Sequence, residues 1–437
     1  MTSKSPKLSR RRKTYGAVSL LAIAGLALSS CAGDTGEADA DEANAETEGF
    51  EYGASQEEVN EAIADLEPVT LTFQNAAPSE NAPAAQPVLK FMEAVEERSN
   101  GQITIEPVWS MSVANYPEVV DALQDGRIDM SYHLVGYEPQ RFPEATDIGS
   151  ALANIEYSPM VGEMTAYAVG AEIGWQNQGL LDSYEAEGLT PFAPFVANGA
   201  YSLSCNSELS TAEDMVGAQI RAGSLAQAKA VEHFDATPTS IEFAEAFEAL
   251  QRGTIDCDLS PMGAKEISGV YEAAPHLGYT TQASWPRFPA AYLAGSTFQE
   301  LPLAYQQIIF DSQQLGLGND VGNYINSNAL FIDDTLSIDG TINEFDQEMQ
   351  DELANFITVL QDEAIEAGTI DADTVTRIEE LDEKWSSAIS EMGYADEGEM
   401  DNLNEWYDPD TDYDEFSWAV YEESAAMNYR PGSGNGS

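Results

Sequence analysis

Positively charged side chains are scarce in this sequence, so each one is informative about chemistry. The 437 residues include 18 lysines and arginines against 76 aspartates and glutamates, a formal net charge of −58 at pH 7. Pairs of carboxylates at hydrolase-like spacing therefore occur throughout by chance, and none identifies an acid/base site. Such an acidic chain also disfavours nucleic acid and anionic membrane as direct ligands.

Arg221 is the basic residue with the most informative surroundings, because it follows an apolar residue and precedes small ones in the segment IRAGS, residues 220–224. A planar guanidinium binds a carboxylate through two parallel hydrogen bonds, and the interaction is stronger in a cleft that excludes water. A structural ion pair with a neighbouring acid is the alternative. From the residues alone both interpretations stay open.

The sequence offers no pattern for nucleophilic catalysis or for a metal centre. His133, His233 and His276 have no Cys or Ser partner in a recognisable motif. The segment DPDTD at residues 408–412 begins like a calcium loop, but the glycine and the twelfth-position Glu are missing. We therefore predict no catalytic residue, no metal and no cofactor.

The N-terminus has the features of an export signal. Six basic residues precede an apolar stretch, residues 17–28, that is too short for a comfortable membrane span, and LSSC follows at residues 28–31. This resembles the bacterial lipoprotein signal, in which the cysteine carries a diacylglycerol thioether and becomes the mature N-terminus. An ordinary signal peptide with a chance cysteine is the alternative. We expect a signal peptide at 1–30 and a lipid on Cys31 that anchors the protein outside the cytoplasm.

Composition divides the remaining chain. Residues 31–67 consist largely of Asp, Glu, Ala and Gly, which cannot bury enough surface to offset ordering entropy, so a flexible acidic tether is predicted, with a helix possible in its last part. The following 360 or so residues are too many for one core and predict two lobes. Cys205 and Cys257 form either a disulfide, which persists in exported proteins, or two buried thiols.

Two stretches of the chain alternate strands and helices in the same order, which is typical of an α/β layer with a mostly parallel sheet. The first has predicted strands at 69–74, 103–108 and 128–133 and helices at 87–98 and 116–124; the second has strands at 220–222, 237–241 and 255–258 and helices at 225–234 and 245–251. Three long amphipathic helices, at 301–315, 345–367 and 372–392, are expected to clasp both lobes from outside.

A decapeptide pattern recurs at the same place in each stretch, as DALQDGRIDM at residues 121–130 and EALQRGTIDC at residues 248–257. Ala-Leu-Gln would close an amphipathic helix, Gly would adopt the left-handed conformation after it, and Ile-Asp would enter a core strand. Chance similarity of two such joints is one interpretation, and two lobes of like topology is the other.

These ordered motifs resemble the DctP-type solute-binding proteins of tripartite ATP-independent periplasmic (TRAP) transporters. EDMVGAQIRAGS at residues 213–224 resembles the family's DLKGxKIRxP, and SIEFAEAFEALQRGTIDCDLSP at residues 240–261 resembles its ALQxGxVDG and NP pattern. FMEAVEERSNGQITIEPVWSM followed by DALQDGRIDMSYH is similar to the counterpart in the family's first lobe. The resemblance extends over about residues 69–315.

The resemblance implies a two-lobed periplasmic-binding-protein-like α/β fold, type II-like, with hinge strands and long C-terminal helices. The expected domains are 68–197 with about 283–322 as lobe 1, 198–282 with about 323–395 as lobe 2 and clasping helices, and 396–437 as an acidic C-terminal extension. Such lobes close over a small organic carboxylate and offer it to the membrane subunits of a TRAP permease. Neither an enzymatic activity nor a nucleic-acid partner is implied.

The resemblance also implies ligand contacts. Arg221 corresponds to the arginine of the family's KIR-like motif and would hold the carboxylate. Further expected contacts at family positions are Asn75, Gly223, Ser224, Phe243 and Ser260. An aromatic pocket wall is suggested by Tyr116, Tyr137, Tyr201, Phe243 and Trp285, although each of these is equally compatible with the core.

Departures from the family pattern narrow the expected ligand. Sialic-acid binders of this family carry a second arginine at the position of Tyr201 and a charged pair at the positions of Leu134 and Tyr137. Ser260 replaces a common Asn, which suggests a different or bulkier ligand. A monocarboxylate with an apolar or hydroxylated body is therefore expected. An ABC-type solute-binding lipoprotein is the alternative function, and a surface-anchored hydrolase is a further one.

Overall fold

Two β-sheets form the architecture, as the alternating strand and helix patterns predict. The structure, a computed structural model, describes residues 49–197 and 199–433, and only the backbone of Phe243. In chain order its strands are β1 (Val69–Gln74), β2 (Ile103–Val108), β3 (Met130–His133), β4 (Thr190–Ala197), β5 (Tyr201–Cys205), β6 (Gln219–Arg221), β7 (Thr237–Thr239), β8 (Cys257–Pro261), β9 (His276–Tyr279), β10 (Pro289–Ala294) and β11 (Thr341–Glu344).

Helices cover both sheets. Those of the described ranges are α1 (Gln56–Ile63), α2 (Gln86–Arg98), α3 (Val119–Gln124), α4 (Pro143–Ala151), α5 (Val161–Gln176), α6 (Gln178–Ala186), α7 (Ala212–Met215), α8 (Leu225–His233), α9 (Ala246–Gln251), α10 (Met262–Ser268), α11 (Val270–Ala273), α12 (Ser296–Gln299), α13 (Leu303–Ser337), α14 (Gln347–Ala367), α15 (Ala372–Glu391), α16 (Leu403–Trp406) and α17 (Asp414–Glu423). None of these helices is long and apolar enough to cross a membrane.

Each sheet is the centre of one lobe. The first sheet has the order β2-β1-β3-β10-β4, in which β1 runs parallel to β2 and β3 while β10 runs antiparallel to β3 and β4. The second has the order β11-β9-β5-β8-β6-β7, with β6 parallel to β7 and β8. The chain passes to the second sheet after β4, returns between β9 and β10, and passes over again through α13. These passages are the hinge segments of a two-lobed fold.

Burial of the strands explains their composition. Every residue of β10, PAAYLA, is buried, because helices and the rest of the lobe cover both faces of this sheet. β1 alternates instead near its start, where Leu71 and Phe73 point into the core. The predicted strand at 69–74 agrees with β1 residue for residue.

The recurring decapeptide forms the same helix-to-strand joint in both lobes. Gly126 and Gly253 end α3 and α9 with φ of 67° and 66°, the left-handed conformation that glycine adopts without steric cost. The next amide donates to a carbonyl five residues back in each case, at 2.9 Å. The aspartates of the pattern also match: Asp129 accepts the amide of Thr72 at 2.7 Å, and Asp256 that of Gln219 at 2.8 Å.

Helix α13 connects the lobes. Its 35 residues span about 50 Å, and it packs on α2 of the first lobe and on α10 of the second. The predicted helix at 301–315 is therefore too short. The helix continues through the glycines between residues 316 and 322. They provide close approach, since a Cβ on Gly318 would strike Ser417 and one on Gly322 would strike Tyr413 of the α17 segment.

The C-terminal helices return to the first lobe. α14 contacts α4 of the first lobe and α8 of the second, so it clasps both as predicted. α15 packs on α5, which covers the first sheet. Residues up to about 395 were expected to form lobe 2 and clasping helices, and α15 lies against the first lobe with its buried face, including Trp385 and Ile389.

Both chain ends of the described region are folded. Phe50 donates its amide to Gln307 of α13 at 2.7 Å, and α1 buries Val59 and Ile63. The last part of the predicted tether at 31–67 is therefore folded, and α1 is the helix that the sequence allowed there. The described part of the expected C-terminal extension at 396–437, residues 396–433, packs on α13 through α17. The predicted signal peptide, Cys31 and the first part of the tether lie outside the described residues.

Cys205 and Cys257 are paired residues of adjacent strands. They face each other across the antiparallel ladder of β5 and β8, with 4.1 Å between their Cα atoms, and a disulfide joins them. The bridge lies in the second sheet and ties β5, which follows the first hinge passage, to the strand that begins at the decapeptide joint.

Candidate functional site

A cavity of about 240 Å³ lies between the two lobes. The first lobe contributes the turn after β1, the end of β3 and the face of β10, whereas the second contributes the ends of β6 and β8 and the start of α10. The middle of α13 closes one side. The carboxyl ends of β1, β3, β6 and β8 therefore converge here, which is where ligands bind in open α/β sheets.

Five of the expected ligand contacts line this cavity: Asn75, Tyr137, Tyr201, Arg221 and Ser260. Tyr116 and Leu134, which the family comparison with sialic-acid binders and the aromatic pattern singled out, line it as well. Of the five expected contacts, one follows β1, two lie in the region of β3 and the first hinge, and two lie at strand ends of the second lobe.

The other expected contacts have structural roles or are not described. Gly223 donates its amide to Gln227 at 2.8 Å, and a Cβ at this position would lie 3.0 Å from Nη2 of Arg221, so glycine is needed for close packing against the guanidinium. Ser224 caps α8 by accepting the amide of Gln227. The side chain of Phe243 lies outside the description.

Trp285 does not line the cavity, so the structure gives no support to its expected ligand contact. Its side chain is fully buried and its ring lies 5.7 Å from that of Phe234, at the end of α8. The hinge passage between β9 and β10 turns this residue into the core and presents Phe288 to the cavity instead. Sequence position alone could not distinguish these two aromatic residues.

Arg221 lies at the cavity wall with its guanidinium held in place. It is 4% exposed, and it donates from Nε to the carbonyl of Ile241 at 3.0 Å and from Nη1 to the carbonyl of Leu259 at 3.1 Å. These two bonds hold the plane of the group, so less side-chain entropy remains to be lost when an anion binds. The N–H groups that remain are those that a carboxylate can accept from.

Asp258 balances part of this positive charge. Its Oδ1 lies 3.9 Å from Nε of Arg221, beyond hydrogen-bond distance, so the ion pair is loose. Its Oδ2 accepts a short hydrogen bond from the hydroxyl of Ser260. Both interpretations of Arg221 thus apply in part: it has a structural acid nearby and still borders the cavity. Ser260, having donated its hydrogen, can offer the cavity an acceptor.

Lys265 adds a second buried cation beneath this site, and sequence reasoning missed it. Its Nζ donates to the carbonyl of Ser202 at 2.6 Å and to the hydroxyl of Ser202 at 2.8 Å. Complete burial lowers the pKa of Lys265 to about 7, although nearby Asp258 opposes this shift. No motif marks the residue, because its burial results from the packing of α10 between β5 and α13.

Tyrosines form much of the opposite wall. Tyr132 and Tyr292 lie on adjacent strands with ring centres 5.3 Å apart, and Tyr137 lies 4.8 Å from Phe288 and 5.8 Å from Tyr116. An aromatic wall is what the sequence predicted, but Tyr132, Tyr292 and Phe288 were not among the predicted residues. They belong to two strands and a hinge segment whose sequences indicate buried core positions and no ligand contact.

Asp320, in the middle of α13, is the acidic residue of the cavity lining. Its Oδ2 accepts hydrogen bonds from Tyr292 at 3.1 Å and from Tyr324 at 3.4 Å. Burial raises the pKa of Asp320 to about 7. A spacing of four residues between Asp320 and Tyr324 places them on one helix face, but with 76 acids in the chain this signal does not stand out.

Asn75 shapes the turn at the end of β1. Its side-chain oxygen accepts a hydrogen bond from the main-chain amide of Ala77 at 3.0 Å, and its main-chain amide donates to the carbonyl of Val108 at 3.0 Å. This arrangement exposes the backbone of the turn to the cavity and leaves Asn75 almost fully buried.

A buried ion pair supports the two hinge passages. Glu163 of α5 accepts the amide of Ala200, next to β5, at 3.0 Å, and its other oxygen lies 3.9 Å from Arg287 before β10. Both side chains are fully enclosed, and burial raises the pKa of Glu163.

Within the described ranges, no group of three or more His, Cys, Asp or Glu residues is placed to hold a metal ion.

A family model and a curated relative both match this chain to the DctP solute-binding proteins. The model of DctP, the bacterial extracellular solute-binding protein family 7, matches residues 73–367. The C4-dicarboxylate-binding periplasmic protein DctP of Rhodobacter capsulatus is 26% identical over 245 residues, which are 52% of this chain and 70% of that protein.

Two solved structures share the fold. The sugar acid binding protein DctPAm of Advenella mimigardefordensis, in complex with galactonate, has a TM-score of 0.61 and 17% identity, covering 74% of this chain and 100% of that one. A TRAP solute binding protein of Rhodoferax ferrireducens, with copurified benzoate, has a TM-score of 0.63 and 20% identity, covering 73% and 99%.

Proposed function

Because the chain belongs to the bacterial extracellular solute-binding protein family 7, we propose that it captures a small organic acid by its carboxylate in the interlobe cavity and delivers it to the membrane subunits of a TRAP permease. The observation that carries this proposal is Arg221, a guanidinium held at the cavity wall by two main-chain carbonyls. A carboxylate is the ligand group whose geometry matches the N–H groups that remain.

The ligand is a monocarboxylate with an apolar or hydroxylated body. Tyrosine rings, Leu134 and Ile267 provide an apolar enclosure, and Arg221 is the cation of the lining. The two similar structures hold galactonate and benzoate, one hydroxylated and one aromatic acid, which supports this class without selecting a member.

Binding and closure are coupled in this proposal. Arg221 belongs to the second lobe, whereas the tyrosine wall and the turn after β1 belong to the first. A ligand that contacts both stabilises the closed arrangement, and closure removes water from the Arg221–carboxylate contact, which strengthens it. The closed form would then be the form that the permease recognises.

A thermal-shift screen of organic acids tests the proposal. At a ligand concentration 100 times Kd, binding stabilises the folded protein by about 2.7 kcal/mol. We expect the wild type to show such a shift with at least one monocarboxylate and Arg221→Ala to lose it. Arg252→Ala, which removes an exposed arginine of the same lobe, is the matched control and should keep the shift.

Arg221→Lys is a second variant for the case in which Arg221→Ala does not fold, since lysine keeps the charge but not the bidentate geometry. We expect it to fold and to bind at least tenfold more weakly. An equal shift in wild type and both Arg221 variants contradicts the proposal. Turnover of any bound acid would favour an enzyme instead.

We also propose that a lipid on Cys31 anchors the protein at the outer side of the cell membrane. The basic, apolar and LSSC segments in sequence support this. One acyl chain binds a membrane marginally and two bind it firmly, so the modified cysteine would suffice as anchor. Palmitate labelling should label the wild type and spare Cys31→Ala; undiminished labelling of the variant contradicts the anchor.

A further inference from the structure

We propose that Asp320 is a second recognition point of the cavity, which accepts a hydrogen bond from an O–H or N–H group of the ligand and rejects ligands that carry a second carboxylate. The inference rests on the proposed function, because it concerns the part of the same ligand that Arg221 does not hold. It names a side chain on α13, outside the motifs that carry the resemblance.

The two oxygens of Asp320 differ in their partners. Oδ2 accepts from Tyr292 and Tyr324, whereas no protein donor of the described ranges reaches Oδ1. The residue is only 6% exposed, and that exposure is to the cavity it lines. An enclosed carboxyl oxygen without a donor carries a desolvation cost that a ligand donor can relieve.

The charge of Asp320 is also uncompensated by the protein. No cation of the described ranges pairs with it, and the groups that surround it are tyrosines: Tyr132 of β3, Tyr167 of α5, Tyr292 of β10 and Tyr324 of its own helix. Burial raises its pKa to about 7, in keeping with this environment. An ammonium group would supply the missing cation, and a hydroxyl group would supply the missing donor.

A second carboxylate is unfavourable at this place for the same reason. Two like charges in an enclosed, poorly solvated site repel, and one of them must take up a proton. The hydroxyls of Tyr292 and Tyr324 cannot relieve this repulsion, because both already donate to Asp320. Asp320 thus selects by repulsion as well as by attraction.

The two recognition points belong to different parts of the fold, since Asp320 lies on α13, which connects the lobes. Arg221 is on β6 of the second sheet, while Asp320 is bonded to Tyr292 on β10 of the first. A ligand with a carboxylate at one end and a donor group at the other therefore joins the lobes through both of its ends. An acid without the donor group would make a polar contact with Arg221 but none with Asp320.

Matched ligand series test the inference with wild type and Asp320→Asn. One series is butyrate, 4-hydroxybutyrate, 4-aminobutyrate and succinate; the other is benzoate, 3-hydroxybenzoate, 3-aminomethylbenzoate and isophthalate. Titration calorimetry gives Kd for each. Within each series, the hydroxy acid and the amino acid show whether Asp320 prefers a hydroxyl or an ammonium donor. Asp333→Asn, an exposed acid on the same helix, is the control for the substitution itself.

We expect the wild type to bind a hydroxy or amino acid at least tenfold more tightly than the parent acid and the dicarboxylate. Asn presents an amide donor beside the tyrosines, so Asp320→Asn should lose that preference and gain at least tenfold for the dicarboxylate. A merely structural Asp320 would weaken all arms alike. Equal ratios in wild type and Asp320→Asn overturn the inference, whereas binding that does not depend on Arg221 in any arm contradicts the proposed function.

Discussion

Lys265 and Asp320 are buried residues whose pKa lies near neutrality, and Lys265 gives a prediction for stability. Burial lowers the pKa of Lys265 to about 7 from an ordinary value of 10.5. In the folded protein the ammonium proton is therefore lost near pH 7, whereas the unfolded chain keeps it to about pH 10.4. Between these pH values the unfolded state binds more protons, so the contribution of Lys265 to the free energy of unfolding rises with pH.

This sign gives a prediction for Lys265→Met. Between pH 7 and 9 the free energy of unfolding of the wild type should rise relative to the variant by about 1.4 kcal/mol per pH unit at most. Denaturant unfolding at several pH values measures the difference, and the constant cost of losing the bonds to Ser202 cancels from it. Lys229→Met, which removes a half-exposed ion pair, is the control, and its free energy of unfolding should change with pH as that of the wild type does. The same behaviour in Lys265→Met would show that the pKa of Lys265 is ordinary and would contradict the prediction.

Arg221 shows which residues a sequence can reveal. The motif that marks it, β6 and the turn after it, is contiguous in the chain, although its guanidinium is held by carbonyls 20 and 38 positions away. Lys265 and Asp320 lie in no such motif, and their partners at Ser202 and Tyr292 are 63 and 28 positions away. Their importance arises only when distant segments pack, so composition and spacing could not mark them.

At the scale of elements, the decapeptide joint is the unit that both lobes share. Its glycine permits the helix to end, and its aspartate accepts an amide of the neighbouring strand, β1 for Asp129 and β6 for Asp256. The first role was predicted from the sequence. The second was not, because the accepting strand lies elsewhere in the chain.

Substitution of Gly253 tests the joint. Its Cβ position is open, so a side chain there costs only the left-handed conformation and causes no clash. Gly253→Ala should lower the free energy of unfolding by roughly 1 kcal/mol, and Gly253→Asn by less, since Asn tolerates this conformation. Chemical denaturation measures both, and Gly126 in the first lobe provides the matched pair. Equal losses for Ala and Asn would contradict a conformational cause.

The whole molecule is larger than the region that the family model matches. Residues 49–72 and 368–433 lie outside that match, yet they meet on α13. Arg430 donates to both oxygens of Asp311 at 2.9 Å and to the carbonyl of Phe50 at 3.0 Å, so the two ends of the described region are bonded to each other and to the same helix. The added segments enlarge the core around α13 and lie apart from Arg221.

Net charge is the whole-molecule property with the clearest consequence. With 76 acidic and 18 basic residues, the folded protein has strong self-repulsion, which salt screens over about 8 Å at physiological ionic strength. We therefore predict that the melting temperature rises with NaCl concentration by several degrees. Sucrose at equal osmolality stabilises proteins without screening and is the control. A rise no larger in NaCl than in sucrose contradicts the prediction.

Local sequence patterns were sufficient to predict the two α/β lobes, the helix-to-strand joints and the place of Arg221 at a strand end. These features depend on local patterns: alternation in β1, helical periodicity in α2 and α14, and a glycine at each joint. The extent of α13 was predicted poorly, because glycine weakens a helix locally while Gly318 and Gly322 are required by α17, a segment about 90 positions later.

The packing of distant segments determined which aromatic and charged residues face the cavity. It turned Trp285 into the core, brought Phe288 and Tyr292 to the wall, and placed Asp320 opposite the lobe that carries Arg221. It also folded residues 49–67, whose composition predicted a tether, onto α13. The physical reason is the same in each case: burial and charge compensation are set by partners distant in the chain, and a sequence pattern reports only on neighbours.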